Sequence, residues 1–114
     1  MVMRMKIGKE LLKGTGATLV LSVLAGGDLY GYGIVKTLAQ VSEDAFAMNE
    51  GTLYPILHAL EEEGCLESYW QEAEGRKRKY YHITRKGLKK LRENKEEWEY
   101  FSAGMNKVLG YVPV

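Results

Sequence analysis

After Gly64 the apolar residues change their spacing from three-and-four to two, and this change decides what the chain can fold into. Upstream, three stretches carry helical spacing. From Lys9 to Ala25 the apolar side chains fall at Leu12, Leu19, Val20, Val23 and Leu24, although Gly14 and Gly16 weaken the first turns. Gly26-Gly27-Asp28 ends this helix. A second helix, about Tyr30 to Ser42, places Ile34, Leu38 and Val41 on one side. A third begins at Asn49, a good N-cap, with Glu50 suiting the helix dipole in its first turn. Leu53, Ile56, Leu57 and Leu60 make its apolar stripe, and Gly64 stops it. Pro55 presses on the carbonyl of Gly51, whose missing Cβ leaves room, so a local bend is expected rather than a break.

Downstream, Leu66, Ser68 and Trp70 alternate with Glu67, Tyr69 and Gln71. A second strand is expected at about Arg78 to Ile83, and the single glycine in Glu72 to Lys77 makes the pair a hairpin with a longish tip. Thr84 caps a final helix reaching about Leu109. On it Leu91, Trp98 and Met105 are spaced by seven, with Phe101 and Val108 three residues after two of them. This is an apolar seam of the coiled-coil kind, interrupted by Asn94. The expected fold is mainly α with a small β-hairpin: a winged helix-turn-helix over residues 1–84 and a C-terminal dimerisation helix over 85–114, forming one compact unit. The last helix is too long and one-sided for so small a core to cover. Its seam of Leu91, Trp98, Phe101, Met105 and Val108 is predicted to meet a second copy.

The formal net charge of +1 conceals an asymmetry. Residues 43–74 carry acids at 43, 44, 50, 61, 62, 63, 67, 72 and 74 and no Lys or Arg, whereas residues 76–95 carry ten Lys or Arg and one acid, Glu93. A polyanion responds to the local field of the basic segment rather than to the average. Arg76, Lys77, Arg78 and Lys79 are therefore candidates to lie along phosphates or reach a minor groove. The third helix would be the reading helix, its N-terminal part offering Asn49, Glu50, Thr52, Tyr54 and His58 to base edges or phosphates. The plainer readings are a solvated turn, a Thr52 bonded locally to backbone, and a Tyr54 packed in the core.

Other chemistries find little support. The nine-residue, largely apolar run from Ala17 to Ala25 cannot span a bilayer, and no signal-peptide segment follows the basic start, so a cytoplasmic protein is expected. The single Cys65 reads as a small buried residue. His58 and His82 lack the neighbours of a metal site, and no Gly-rich phosphate loop, nucleophile elbow or acid-base pair suggests a catalytic residue or a cofactor. Trp98, at a two-fold axis, would face its own copy and form a flat slot for a planar ligand, though a seam Trp is more often plain interface.

Several runs resemble the PadR family of bacterial transcriptional regulators. They are Asn49-Glu50-Gly51-Thr52-Leu53-Tyr54-Pro55, Leu60-Glu61-Glu62-Glu63-Gly64, Arg78-Lys79-Tyr80-Tyr81-His82-Ile83-Thr84 with Gly87, and Tyr30-Gly31-Tyr32-Gly33. The resemblance implies a homodimeric repressor on an inverted-repeat DNA operator, with the third helix in the major groove and the wing tip on the flanking backbone. It adds Tyr32, Gly51 and Pro55 to the expected DNA contacts. Glu96-Glu97-Trp98 is similar to the multidrug-sensing branch, in which a Trp from each subunit stacks on flat aromatic compounds. That implies a ligand site of Trp98, Asn94, Phe101, Ser102, Ala17 and Thr18, with a planar aromatic inducer. Phe101 is bulkier than is usual in that branch, and Arg76-Lys77 stands where Gly-Gly or Gly-Pro is common. The alternatives are a winged-helix module that docks a protein through its acidic stretch, Glu43 to Glu74, and a small enzyme.

Overall fold

The computed structural model describes residues 9–111; the N-terminal residues before Lys9, on which the signal-peptide reading rests, lie outside this range. The element order is α1 (Lys9–Ala25), β1 (Leu29–Tyr30), α2 (Gly31–Val41), α3 (Glu50–Glu62), β2 (Leu66–Ala73), β3 (Arg76–Ile83) and α4 (Arg85–Leu109). The expected winged helix-turn-helix with a long last helix is what forms. Among the described residues no helix is long and apolar enough to cross a membrane.

Three helices pack around one core. Val20, Leu21 and Leu24 of α1 meet Ile34 and Leu38 of α2 and Leu53, Leu57 and Leu60 of α3, with Leu66, Tyr81 and Ile83 closing the layer from the sheet. At Gly16 α1 lies directly against α3: a Cβ there would stand 2.6 Å from Cδ1 of Ile56. Val41, expected on the apolar side of α2, is instead exposed, because the chain leaves the core at Leu38. The Asn49 side chain accepts from the Thr52 backbone N–H at 2.9 Å, the capping bond its position promised. The helix then runs unbroken through Pro55.

The sheet differs from the expected two-stranded hairpin in two ways. Leu29 and Tyr30 add a third antiparallel strand, in the order β1-β3-β2. Two residues are too few for a period-two pattern to register. The hairpin tip is also tight rather than long. Ala73 pairs with Arg76, leaving Glu74 and Gly75 as the turn, with φ of 55° and 76°. Two positive φ values mark the primed turn whose twist matches that of its strands. Arg76 and Lys77 consequently belong to β3 and not to a loop.

The start of α4 is seated on the end of α3. The Thr84 hydroxyl accepts from the Gly87 backbone N–H at 3.1 Å and donates to the Gly64 carbonyl at 2.7 Å. The Thr84 N–H donates to the Cys65 carbonyl at 3.0 Å. Gly87 lies so close beneath that a Cβ would run into the Cys65 carbonyl oxygen and stand 2.7 Å from Cγ1 of Ile83. Leu91, one turn on, enters the protomer's own core at 7% exposure, so it is not part of the uncovered seam.

Gly87→Ala should destabilise the fold by about 3 kcal/mol, since the obstruction is backbone and cannot rotate away. Gly33→Ala, whose Cβ would meet nothing nearer than Leu29 at 3.4 Å, should stay within about 1 kcal/mol of wild type. Urea denaturation of both variants checks this.

Candidate nucleic-acid interface

The core face of α3 is closed by Leu53, Leu57 and Leu60, and its opposite face is open. Glu50, Gly51, Tyr54, Pro55 and His58 all lie exposed there, in the one-and-four spacing of a single helical face. The Asn49 side chain is committed to the cap, through the Thr52 backbone N–H, and Thr52 itself is half-buried.

Beside this face lies an open cleft of about 400 Å³ between α3, the start of α2 and the sheet. It gathers Tyr32, Glu50, Tyr54, His58, Arg78 and Lys79 from the residues singled out in the sequence. Arg76 and Lys77 stand further out along β3. Four lining residues are not site residues on the sequence reading: Tyr30, Gly31, Trp70 and Tyr81. Trp70 reads there only as a strand residue. It is 66% exposed and sits opposite Lys79 across the hairpin. Its signal is present, since a large apolar side chain near the tip of a strand has no core to enter.

Strand register divides the four cations. Side chains alternate faces along β3, so Arg76 and Arg78 share a face with Tyr80 and His82, while Lys77 and Lys79 share the other with Tyr81. Arg78 lies 4.4 Å over the Tyr30 ring, a cation–π contact that holds its guanidinium at the sheet edge. Lys79 lies 5.7 Å from the Tyr81 ring centroid. Burial pushes the Tyr81 hydroxyl's pKa up, with the neighbouring Glu61 adding to the shift.

Tyr54 both packs and projects. Its ring crosses the first turn of α2, so that a Cβ on Gly31 would stand 2.8 Å from the Tyr54 hydroxyl oxygen. Glycine at 31 is thus needed for close approach. The N-cap Tyr30 makes no side-chain cap bond, leaving the α2 N-terminus toward the cleft without that partner.

A second open cavity, about 770 Å³, lies along α4. Trp98, Asn94, Phe101 and Thr18, four of the residues that the resemblance groups together, line it. Ala17 and Ser102 do not line it: Ala17 packs against the core, and the Ser102 hydroxyl turns back to the Glu99 carbonyl at 3.2 Å. Asn94 donates to the Thr18 hydroxyl at 3.0 Å, tying α4 to α1. Trp98 and Phe101 pack tilted, 5.7 Å between centroids. Met105 and Val108 continue the wall, and Trp98, Phe101, Met105 and Val108 all remain exposed.

Comparison with known proteins points one way. The family described as transcriptional regulator PadR-like matches residues 20–93. A transcriptional regulator from Clostridium thermocellum is 36% identical, with a TM-score of 0.81 over 87% of this chain and 97% of that one. A PadR family transcriptional regulator from Eggerthella lenta is 40% identical, with a TM-score of 0.76 over 88% and 86%. A transcriptional regulator of Mycobacterium tuberculosis is 35% identical over 71 residues, which are 62% of this chain and 64% of that relative.

The Gly31–Tyr54 contact makes a double-mutant cycle informative. Gly31→Ala alone should cost about 1–3 kcal/mol of stability, and adding Tyr54→Phe should recover part of that loss. Strictly additive losses in chemical denaturation would mean that the two residues do not meet.

Proposed function

The chain belongs to the PadR-like family of transcriptional regulators, and from that premise we propose that it acts as a homodimeric repressor released by a planar aromatic ligand. Membership makes it a DNA-binding regulator rather than an enzyme. The open face of α3 would enter the major groove, with Tyr54, His58 and Glu50 nearest the base edges. A carboxylate such as Glu50 accepts from cytosine N4, and an imidazole meets a base edge or a phosphate. Lys77 and Lys79, together with Arg76, would follow the flanking phosphates.

The observation that carries this reading is the single cleft bounded by the exposed face of α3 and by the cationic strand β3. Groove reading and backbone positioning require groups on one side of the molecule, and these elements supply them. Two acids of the acidic stretch are engaged within the protomer: Glu61 accepts from the Ser68 hydroxyl and Glu63 pairs with Lys90 at 2.6 Å. The Lys90 ammonium holds the Glu63 carboxyl below the usual carboxylate range, its hydrogen bond contributing most.

Dimerisation would cover the exposed apolar wall of α4. Two reading helices fixed by such a pairing would favour an inverted repeat with half-sites about 34–36 Å apart. The cavity beside Trp98 has apolar walls and the polar pair Asn94 and Thr18, a lining suited to a flat aromatic ligand. Ligand would release DNA by binding unequally to two relative poses of the subunits. Selection of bound sequences from random duplex DNA, repeated with planar aromatic compounds, tests the whole reading. An unselected pool after repeated rounds would overturn it.

Two variants test its parts. Changing Arg76, Lys77 and Lys79 to Ala should weaken binding to all sequences. The log-log salt slope should flatten by about 0.9 for each phosphate that is no longer neutralised. Titration with a planar dye should change Trp fluorescence in wild type and in Trp70→Phe, and leave Trp98→Ala unchanged.

A further inference from the structure

The outer face of the sheet carries a set of contacts that the core does not need. Asp28, in the turn between α1 and β1, receives two hydrogen bonds on separate oxygens. The Tyr69 hydroxyl of β2 donates to Oδ2 at 2.7 Å, and Nδ1 of His82 on β3 lies 2.8 Å from Oδ1. Tyr69 pairs with Tyr80 and Glu67 with His82, so Tyr69 and His82 are diagonal neighbours on one face. One carboxylate therefore holds both strands of the wing at their root. An aromatic ladder continues from it. The Tyr69 and Tyr80 rings stack at 5.7 Å, Tyr80 meets Tyr30 edge-on at 5.6 Å, and Tyr30 lies 6.5 Å from Tyr32. Arg78 rests on Tyr30 within this ladder.

The rest of the wing has little beneath it. Leu66, Tyr81 and Ile83 anchor the root in the core, while from Tyr69 outward β2 is exposed up to the half-buried Ala73, and Arg76 and Lys77 of β3 are exposed too. The direction of the tip is thus fixed at the root. From Tyr69 to Ala73 the strand reaches about 13 Å, so a tilt of about 10° at the root moves the tip by roughly 2 Å. A phosphate hydrogen bond tolerates only a few tenths of an ångström.

We infer that Asp28 is a positioning residue for DNA binding, aiming the cationic wing at the backbone by holding Tyr69 and His82. The inference rests on the proposed DNA interface and names a determinant within it that touches no DNA. The hydrogen bonds from Tyr69 and then His82 keep the Asp28 carboxyl below its ordinary range, so it is an anion wherever DNA binding is measured.

The sign of the effect separates this role from simple electrostatics. Removing an acid from a polyanion-binding protein strengthens binding through the long-range field. Asp28→Ala should instead weaken binding to the selected duplex, by about three- to tenfold, and flatten its salt slope. Tyr69→Phe, which loses only the hydroxyl, should act in the same direction, so that poor folding of the first variant does not decide the matter. Asp28→Asn, which keeps an acceptor for Tyr69, should recover part of the loss. In hydroxyl-radical footprints of the full-length protein, protection of the flanking backbone should fade while that around the α3 half-sites persists. In an Arg76→Ala, Lys77→Ala background, adding Asp28→Ala should change nothing further.

Unchanged or tighter binding by both Asp28→Ala and Tyr69→Phe would overturn the inference. So would an equal loss from Asp28→Ala with and without the wing cations, because Asp28 would then act elsewhere than through the wing. If neutralising Arg76 and Lys77 itself leaves affinity and salt slope unmoved, the wing's part in the DNA interface fails first, and the role of Asp28 falls with it.

Discussion

The approach of α4 to the end of α3 at Gly87 governs the rest of the architecture. The third helix presents the open face, and the fourth presents the apolar wall. Their relation is set where Gly87 passes beneath the Cys65 carbonyl and Thr84 bonds to both Gly64 and the Gly87 N–H. Each of these contacts involves backbone, which does not repack as side chains do. Farther along, Asn94 ties α4 to α1 through Thr18, and Lys90 reaches Glu63. A helix of 25 residues is about 37 Å long. A small rotation at its base would carry its far end, and any partner packed there, through several ångströms. A spacing between two reading helices can only be as accurate as this joint.

The division of the basic run by strand register changes what the charge can do. As a loop, four consecutive cations would form one mobile cluster. As a strand, two of them face the side of Tyr81 and two the side of Tyr80. Arg78 is further committed to the Tyr30 ring. Arginine suits that post better than lysine, because a planar, weakly hydrated guanidinium stacks on a ring at little desolvation cost. Lysines, compact and strongly hydrated, remain on the side of the strand from which phosphate can be met as a point charge.

The helices were legible because each carried its own punctuation. Asn49 and Thr84 both cap through their side chains, and the stripe of Leu53, Leu57 and Leu60 is buried. What could not be read depended on partners distant in sequence. The strand Leu29–Tyr30 exists only because β3 lies beside it. The tight turn was hidden because Glu74, not Asn or Asp, takes the first positive φ. Leu91 fitted the seam by spacing, yet it lies near enough to the joint for the core to claim it. Asp28 looked like the tail of a helix stop, and its bonds to Tyr69 and His82 bridge 41 and 54 residues. Of the candidate site, the α3 face was visible as a pattern, whereas Trp70 and Gly31 acquire meaning only when the sheet and α2 meet it.

The energetics of the α4 wall suit an adjustable interface. Trp98, Phe101, Met105 and Val108 are already part-covered, with exposures of 52%, 54%, 42% and 86%. Burying such side chains fully contributes about 1.5–3 kcal/mol each. What remains to be gained from both copies together is roughly 7–14 kcal/mol, against an association cost of about 4–15 kcal/mol. The apolar wall alone therefore leaves a narrow margin. Contacts between the partner and α1 would have to add to it, and an open cavity of about 770 Å³ lies beside Trp98 on that wall. A flat aromatic molecule entering there would bury surface of the same order as one side chain of the wall. On the proposed reading, in which a ligand releases DNA, that gain would be enough to change which pose of the two subunits is preferred.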